Sequence, residues 1–189
     1  QNIVPGQYNA ILEMADGSTY HLGEQQGSLQ EKTGRLIKID STLVSYLPVS
    51  NKQEIPQEIV YNKLRVPRGG EYRIELEDGT KVWMNSESRL RYPVAFSNDT
   101  REVYLEGEAY FHVTASKEHP FIVKTKDMDV MVTGTEFNVN TYGIGGTQTT
   151  LVSGKVGIRG KSSGQEYMME PLQLAEFDVN GEFKGIRNV

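Results

Sequence analysis

Residues 102–114 alternate strictly between small or apolar side chains and polar or aromatic ones. The first face comprises Val103, Leu105, Gly107, Ala109, Phe111 and Val113, and the second comprises Glu102, Tyr104, Glu106, Glu108, Tyr110 and His112. Because successive side chains of a strand point to opposite sides, this pattern predicts a β-strand with one buried face. Gly107 and Ala109 interrupt the bulky apolar row, which predicts a bend or the close approach of another backbone.

Two Asp-Gly pairs predict tight hairpin turns. Residues 72–76 alternate between apolar and charged side chains before Asp78-Gly79, and the alternation resumes after the pair. Apolar residues in a similar layout precede Asp16-Gly17. Glycine tolerates the positive φ angle that such turns need, so each pair is predicted to join two antiparallel strands.

Several further short segments are predicted to be strands, with turn residues between them. They are residues 121–125, 130–133, 137–141 and 151–158. Helical periodicity is nearly absent, and only residues 85–90 suggest one short turn. Many short strands of this kind predict an all-β sandwich or barrel. The apolar strand faces supply the predicted core, which includes Ile74, Leu76, Val82, Leu105, Phe111, Phe121, Val123, Phe137, Val139 and Val156.

A chain of 189 residues suits one domain with a continuous core. We assign residues 1–60 to an N-terminal β part of the same sandwich and residues 61–189 to its core. The sequence also admits a small irregular extension at the N-terminal end. Residues 49–56, rich in Ser, Asn, Gln and Pro, are predicted to form a connecting loop, and residues 143–146 a second loop.

The charge balance argues against a nucleic-acid partner. The chain has 20 basic and 25 acidic side chains, and no cluster of Lys and Arg interleaved with aromatic residues is visible along it. No apolar run reaches the roughly 18 to 20 residues that span a bilayer, and the first residues lack the layout of a signal peptide. Cysteine is absent, which excludes disulfides, thiolate metal sites and a cysteine nucleophile.

Few side chains are candidates for metal binding or catalysis. His21, His112 and His119 are far apart and show no metal-ligand spacing, although the fold could still bring histidines together. Glu106 and Glu108 share a strand face, where they form either a solvated acidic surface or a carboxylate pair for a glycosidase or a calcium site.

The remaining patterns favour binding over catalysis. Tyr104 and Tyr110 share the same predicted face and could stack on a sugar. The glycine pairs lack the context of a phosphate-binding loop, and no serine lies in a nucleophile elbow. We therefore predict a protein that is not an enzyme and needs no metal or organic cofactor. Its candidate contact surface comprises Tyr104, Glu106, Glu108, Tyr110 and His112.

An ordered set of short motifs occupies residues 61–158. The motifs are 66–72 (VPRGGEY), 76–88 (LEDGTKVWMNSES), 90–94 (LRYPV), 101–111 (REVYLEGEAYF), 120–123 (PFIV), 134–139 (GTEFNV) and 150–156 (TLVSGKV). In this order they resemble the FecR domain family. The sequences around residues 67–70 and 134–139 are most similar to those of members from Bacteroidetes-type bacteria. The motifs combine turn glycines with alternating core residues and contain no reactive centre.

The resemblance implies a jelly-roll-like antiparallel β-sandwich that serves as the periplasmic sensor or scaffold domain of a transmembrane anti-sigma regulator. Such regulators relay a signal from an outer-membrane TonB-dependent receptor to an extracytoplasmic-function sigma factor. We then expect a sigma-binding cytoplasmic segment and a membrane helix before Gln1, and a small receptor-binding α/β domain after Val189. The chain would be the periplasmic part of an inner-membrane protein, joined to the membrane only through that helix.

Two other classes of function remain open at this point. A carbohydrate-binding or cupin-like sandwich is favoured if Tyr104, Tyr110 and His112 line one concave groove. The cupin alternative is weakened because the paired histidines that hold a cupin's metal are missing. A structural repeat of a surface protein would require tandem copies of the domain.

Overall fold

A computed structural model describes residues 7–23, 26–31, 33–47, 59–143 and 145–189. These residues form twenty strands and no helix, so no helix among them could cross a bilayer. The strands are β1 (Gln7–Tyr8), β2 (Ala10–Glu13), β3 (Thr19–Leu22), β4 (Gly27–Gln30), β5 (Leu36–Ile39), β6 (Leu43–Tyr46), β7 (Tyr61–Val66), β8 (Gly70–Glu75), β9 (Lys81–Met84), β10 (Ser88–Pro93), β11 (Arg101–Glu106), β12 (Glu108–His112), β13 (Phe121–Lys124), β14 (Met128–Val132), β15 (Glu136–Gly143), β16 (Gly146–Ser153), β17 (Val156–Gly160), β18 (Glu166–Met169), β19 (Gln173–Phe177) and β20 (Phe183–Asn188).

The strands form two sheets that pack face to face. The eleven-stranded sheet runs β20-β19-β16-β15-β12-β9-β8-β6-β5-β4, with β1 added beside β8, and the nine-stranded sheet runs β18-β17-β14-β13-β11-β10-β7-β2-β3. The predicted all-β sandwich is confirmed. The sheets are mixed and not purely antiparallel as the family resemblance implied, because β1 and β6 each pair in parallel with β8, and β11 pairs in parallel with β13.

The N-terminal strands join both sheets. In the nine-stranded sheet β2 pairs with β7, and in the eleven-stranded sheet β6 pairs with β8. The strands from residues 7–46 thus share ladders with strands of the FecR-like segment. The loop predicted at 49–56 lies outside the described residues. Strand β15 ends at Gly143 and β16 begins at Gly146, within the second predicted loop.

A single apolar core fills the space between the sheets. All ten predicted core residues are buried, each with 2% or less of its surface exposed. The aromatic centre of this core is Phe111, whose ring stacks on Phe137 at a centroid distance of 5.1 Å and lies 6.2 Å from the ring of Phe121. Stacked and tilted aromatic pairs add to the stabilisation that burial alone supplies.

Both predicted Asp-Gly hairpins are confirmed. Asp16-Gly17 joins β2 to β3, and Asp78-Gly79 joins β8 to β9. In each turn the aspartate accepts a hydrogen bond from the backbone N–H two residues later, at 2.9 Å and 3.0 Å. The glycines have φ angles of +86° and +80°, which side chains with a Cβ adopt only at a cost. The turn predicted at 85–90 is shorter than expected, since β10 already begins at Ser88.

The alternating segment 102–114 is not one strand. It divides at Gly107 into β11, in the nine-stranded sheet, and β12, in the eleven-stranded sheet. The predicted bend and close approach are both present, because Gly107 has a φ angle of +99° and a Cβ there would lie 2.6 Å from the Cα atom of Ser88. The segment 151–158 divides in the same way at Gly154, where the φ angle is +93°.

Hydroxyl side chains bond the backbone N–H groups at Gly107, where the chain passes from one sheet to the other and the ladder of backbone hydrogen bonds is interrupted. The backbone N–H of Gly107 donates to Oγ1 of Thr141 at 2.6 Å, and the N–H of Glu108 donates to Oγ of Ser88 at 2.9 Å. The Thr141 hydroxyl in turn donates to the backbone carbonyl of Gly107, and the Ser88 hydroxyl donates to that of Glu108, at 3.0 Å each. We call this crossing of the chain around Gly107 the corner. Partly buried backbone groups are costly when left without partners, so these two hydroxyls stabilise the crossing.

We predict that Phe111→Ala lowers the free energy of unfolding by about 3 to 5 kcal/mol, because it leaves a cavity against two aromatic rings. The adjacent His112→Ala change removes an exposed side chain and should cost less than about 1 kcal/mol. Chemical denaturation of the two variants compares these values. Equal losses would contradict the assignment of His112 to an outer face.

The corner glycine can be tested against a turn glycine with similar backbone conformation. Gly17→Ala meets no atom within 4 Å and should cost only the strain of a positive φ angle, about 1 to 2 kcal/mol. Gly107→Ala carries the same strain and also collides with Ser88, so we expect a loss larger by about 1 to 3 kcal/mol. Thermal or chemical unfolding decides, and equal costs would show that the corner backbone relaxes freely.

Candidate functional site

The predicted contact surface is divided between the two outer faces of the sandwich. Tyr104 and Glu106 lie on β11 and point outward from the nine-stranded sheet, whereas Glu108, Tyr110 and His112 lie on β12 and point outward from the eleven-stranded sheet. The alternation continues unbroken through Gly107, but the chain changes sheet there. The five side chains are therefore not brought together, and whether either group contacts a partner stays a prediction.

Glu108 is held by amide side chains on the outer face of the eleven-stranded sheet. Its two carboxylate oxygens accept hydrogen bonds from Nδ2 of Asn85 at 3.0 Å and from Nδ2 of Asn138 at 2.9 Å. Glu106, on the opposite side of the molecule, lies 3.5 Å from Nη1 of Arg89. The carboxylate pair considered for a glycosidase or calcium site is therefore not formed, because the two carboxylates belong to different sheets.

Tyr110 and His112 both approach Glu136 on the neighbouring strand. The hydroxyl of Tyr110 donates to Oε2 of Glu136 at 2.9 Å, and Nε2 of His112 lies 3.8 Å from Oε1. Partial burial and the bond to Glu136 raise the pKa of the Tyr110 hydroxyl, so it stays a protonated donor at neutral pH. Trp83 packs edge-on against the Tyr110 ring at 5.6 Å.

The alternatives that need clustered histidines or tyrosines lose their geometric basis. His21 lies on β3, His112 on β12 and His119 in the connection before β13. Across the described parts of the chain, no group of three or more His, Asp or Glu side chains is arranged to hold a metal. Tyr104 does not share a surface with Tyr110 and His112, so the groove expected of a carbohydrate-binding or cupin-like sandwich is not formed by these residues.

A concavity that the sequence did not predict lies on the outer face of the nine-stranded sheet. It has a volume of about 730 Å³, and we call it the basic groove. Its cationic lining residues are Lys63 and Arg65 from β7, Arg89 and Arg91 from β10, and Lys124 and Lys126 at the end of β13. Tyr104 and the acidic residues Glu13 and Glu106 also line it.

Arg91 is fixed at the centre of the basic groove between two aromatic rings. Its guanidinium carbon lies 4.1 Å from the ring centroid of Tyr61 and 4.3 Å from that of Tyr104. Cations at these distances from aromatic faces are attracted to the ring quadrupole. Burial and the neighbouring Tyr104 raise the pKa of the Tyr61 hydroxyl. The Tyr61 hydroxyl therefore stays protonated at neutral pH, and Arg91 forms no ion pair among the described residues.

The cations of the basic groove differ in how they are neutralised. Lys124 lies 3.0 Å from Glu102, and its hydrogen bond to this carboxylate raises the pKa of Lys124. The Nε atoms of Arg65 and Arg91 are buried without a hydrogen-bond acceptor. Sequence inspection missed the groove because its cations come from separate segments. The available signal was a basic residue at every second position in 63–65, 89–91 and 124–126.

Together, the two mixed sheets and the glycines at which the chain changes sheet define an all-β sandwich domain that carries a ligand-sized concavity on its nine-stranded sheet. The sequence profile of the FecR protein family matches residues 62–157, about half of the chain. The chain belongs to the FecR family, as the ordered motifs indicated. No curated protein matches the chain in sequence.

Two solved structures resemble the chain in both sequence and fold. They are crystal structures, at 2.50 Å and 1.65 Å resolution, of a protein named "putative anti-sigma factor" from Parabacteroides distasonis ATCC 8503. The first shares 31% sequence identity at a TM-score of 0.62 and covers 68% of this chain and 60% of its own. The second shares 32% identity at the same TM-score and covers 67% and 59%. This chain thus matches about three fifths of the length of each structure.

A buried polar cluster lies apart from both outer surfaces. Asn62, fully buried on β7, donates through Nδ2 to Oε1 of Glu31 and to the hydroxyl of Tyr46 at 2.7 Å. The Tyr46 hydroxyl lies 2.9 Å from that of Tyr92. Burial raises the pKa of Glu31, although the bonds from Asn62 and Thr33 oppose the shift. The cluster joins N-terminal residues to β7 and β10 inside the sandwich.

Glu31 should impose a pH dependence on stability. Its folded-state pKa is raised above the ordinary 4.5, so the folded protein holds this proton more tightly than the unfolded chain. Its contribution is fully present below about pH 4.5 and is lost as pH rises through the raised pKa. We predict that the stability of the wild type relative to Glu31→Gln, measured by denaturant unfolding, falls between about pH 4 and about pH 7. A difference that rises with pH would show that the ionised carboxylate is the favoured form.

Proposed function

We propose that this chain is the periplasmic sensor and scaffold domain of an anti-sigma regulator. The observation that carries the proposal is the FecR match over residues 62–157, together with the fold shared with two structures named as putative anti-sigma factors. In this proposal the complete protein is anchored in the inner membrane. It relays a signal from an outer-membrane TonB-dependent receptor to an extracytoplasmic-function sigma factor.

The described side chains support binding rather than catalysis. The carboxylates examined as possible reactive groups are held by amides or ion pairs: Glu108 by Asn85 and Asn138, and Glu106 by Arg89. Hydroxyls such as Ser88 and Thr141 bond backbone groups of the corner. Groups engaged in this way maintain the fold, and a nucleophile would instead need a neighbouring base within hydrogen-bond reach. Signal relay by such a domain depends on which surfaces contact other proteins.

The division of the polar surface supports a scaffold with two sides. A partner that contacts Tyr104 and Glu106 meets the nine-stranded sheet, and a partner that contacts Glu108, Tyr110 and His112 meets the eleven-stranded sheet. The outermost strands, β3 and β18 of one sheet and β4 and β20 of the other, offer edges for β-augmentation. The domain can thus hold two neighbours at once on a rigid sandwich.

We predict that residues 1–189 alone bind the receptor's signalling domain weakly. A longer periplasmic region, with the small α/β domain that the family resemblance implies, should bind at least tenfold more tightly, a difference of about 1.4 kcal/mol. Isothermal titration calorimetry of both proteins with the cognate receptor domain measures the difference. The reason is that the α/β domain is proposed to make the main receptor contact, while the sandwich positions it.

The same titrations identify where recognition resides. Glu108→Gln and Tyr110→Phe keep the shape of the outer face on the eleven-stranded sheet, and weaker binding by either variant of the longer protein would assign part of the receptor contact to that face. Equal affinity of the short and long proteins would place the receptor-binding surface within residues 1–189 and contradict the scaffold role. Absence of binding by both would contradict the proposed receptor relay.

A further inference from the structure

We propose that the basic groove binds an extended acidic segment of a partner protein. This inference rests on the proposed function only in taking the partner to be a protein. The groove was defined above by its lining cations and its volume of about 730 Å³, which is within the range of ligand-binding clefts.

The first support is a local reversal of charge. The whole chain carries a formal net charge of −5, yet six Lys and Arg side chains line the groove against two Glu side chains. A concave surface of one sign focuses the field of its charges and concentrates ligands of opposite sign. The sign of the groove is therefore opposite to that of the chain as a whole, which favours attraction of an acidic ligand to the groove.

The second support is that the fold places like charges opposite each other. In the pairing of β7 with β10, Lys63 lies opposite Arg91, and Arg65 lies opposite Arg89. Like charges at directly opposite positions destabilise a sheet. Of these four, Lys63 lies 3.7 Å from Glu13 and Arg89 lies 3.5 Å from Glu106, whereas Arg65 and Arg91 have no ion pair among the described residues. The arrangement is thus only partly compensated by carboxylates within the domain, and a ligand that brings further carboxylates would complete it.

The third support is spacing. Strands β7 and β10 each carry outward cations two residues apart, Lys63 and Arg65 on β7 and Arg89 and Arg91 on β10, and Lys124 and Lys126 lie at the end of β13 and just beyond it. Side chains two residues apart on a strand are separated by roughly 6.6 Å. An extended peptide presents its alternate side chains at this same interval. Glutamates or aspartates at every second position of a peptide would therefore face successive cations of the groove.

The two tyrosines favour a peptide over an anionic polysaccharide or a nucleic acid. Sugars and bases bind proteins by stacking on aromatic faces. Here the guanidinium of Arg91 already covers one face of Tyr61 and one face of Tyr104. The same contacts hold Arg91 in place before a ligand arrives, which reduces the entropy that carboxylate binding would cost. The site therefore presents an ordered guanidinium and not an aromatic platform.

The test uses residues 1–189 and a fluorescent peptide of about eight residues that alternates Glu and Thr, followed by anisotropy at about 50 mM salt. We expect saturable binding that weakens at higher salt, and no binding of the matching Gln-Thr peptide. A galacturonic acid hexamer and a thymidine oligonucleotide compete as the alternative polyanions. Absence of Glu-Thr binding up to about 1 mM, or tighter binding of either polyanion than of the peptide, would overturn the proposal.

Matched variants locate the binding. Arg65→Met with Arg91→Met keeps the apolar stems in the groove and removes two charges, and we expect at least tenfold weaker binding. Lys38→Met with Lys81→Met removes two exposed charges from the eleven-stranded sheet and should leave the affinity within twofold. If the arginine variant does not fold, the exposed pair Lys63→Gln with Lys126→Gln replaces it. Equal losses in groove and control variants would contradict a site in the groove.

The outcome is separable from that of the receptor titration. Peptide binding that depends on the groove can be found whether or not the receptor's signalling domain binds. That result would support acidic-peptide binding by the groove, and the receptor titration would still decide the proposed signal relay. Receptor binding without any affinity for the acidic peptide would overturn the groove inference and keep the proposed relay.

Discussion

The close approach of two backbones at Gly107 is the constraint on which the rest of the structure depends. The chain passes there from the nine-stranded to the eleven-stranded sheet, and only the absence of a Cβ permits the approach, because a Cβ at Gly107 would lie 2.6 Å from the Cα atom of Ser88. Ser88 and Thr141 then bond the backbone groups that the interrupted ladder leaves without partners. Because β11 and β12 are anchored on either side of this crossing, the same short segment ties both sheets to one core.

The crossing also explains how far sequence patterns can predict this fold. Period-two alternation identified the buried faces correctly, and both Asp-Gly turns lie where their residues indicated, because these features depend on local chemistry. The same alternation could not reveal a change of sheet. Inward residues stay inward on both sides of Gly107, so Leu105 and Ala109 face one core from opposite layers. The only local sign of the change is a glycine within the pattern, at Gly107 and again at Gly154.

The candidate surfaces were harder to predict for a related reason. Polar residues next to each other on the alternating face were taken as one surface, although the corner sends Glu106 and Glu108 to opposite sides of the molecule. The basic groove presents the reverse case. Its members are distant in sequence, and the pairing of β7 with β10 and of β10 with β11 brings them together. Register is a property of the assembled sheet, so spacing along the chain could suggest the cationic pairs but not their convergence.

The electrostatic contrast between the groove and the remainder of the chain bears on how a regulator of this kind could recognise a partner. The chain has a net charge of −5, and the residues that line its groove carry a positive net charge. The residues outside the groove therefore carry a stronger negative charge than the chain as a whole. In the proposed mode of binding, the net negative charge would repel an acidic segment at long range, and the groove on the nine-stranded sheet would attract it. Such a distribution contributes more to orientation and to the rate of encounter than to affinity. It would also keep the eleven-stranded sheet, with its bonded Glu108, Tyr110 and Glu136, free for a partner of different chemistry.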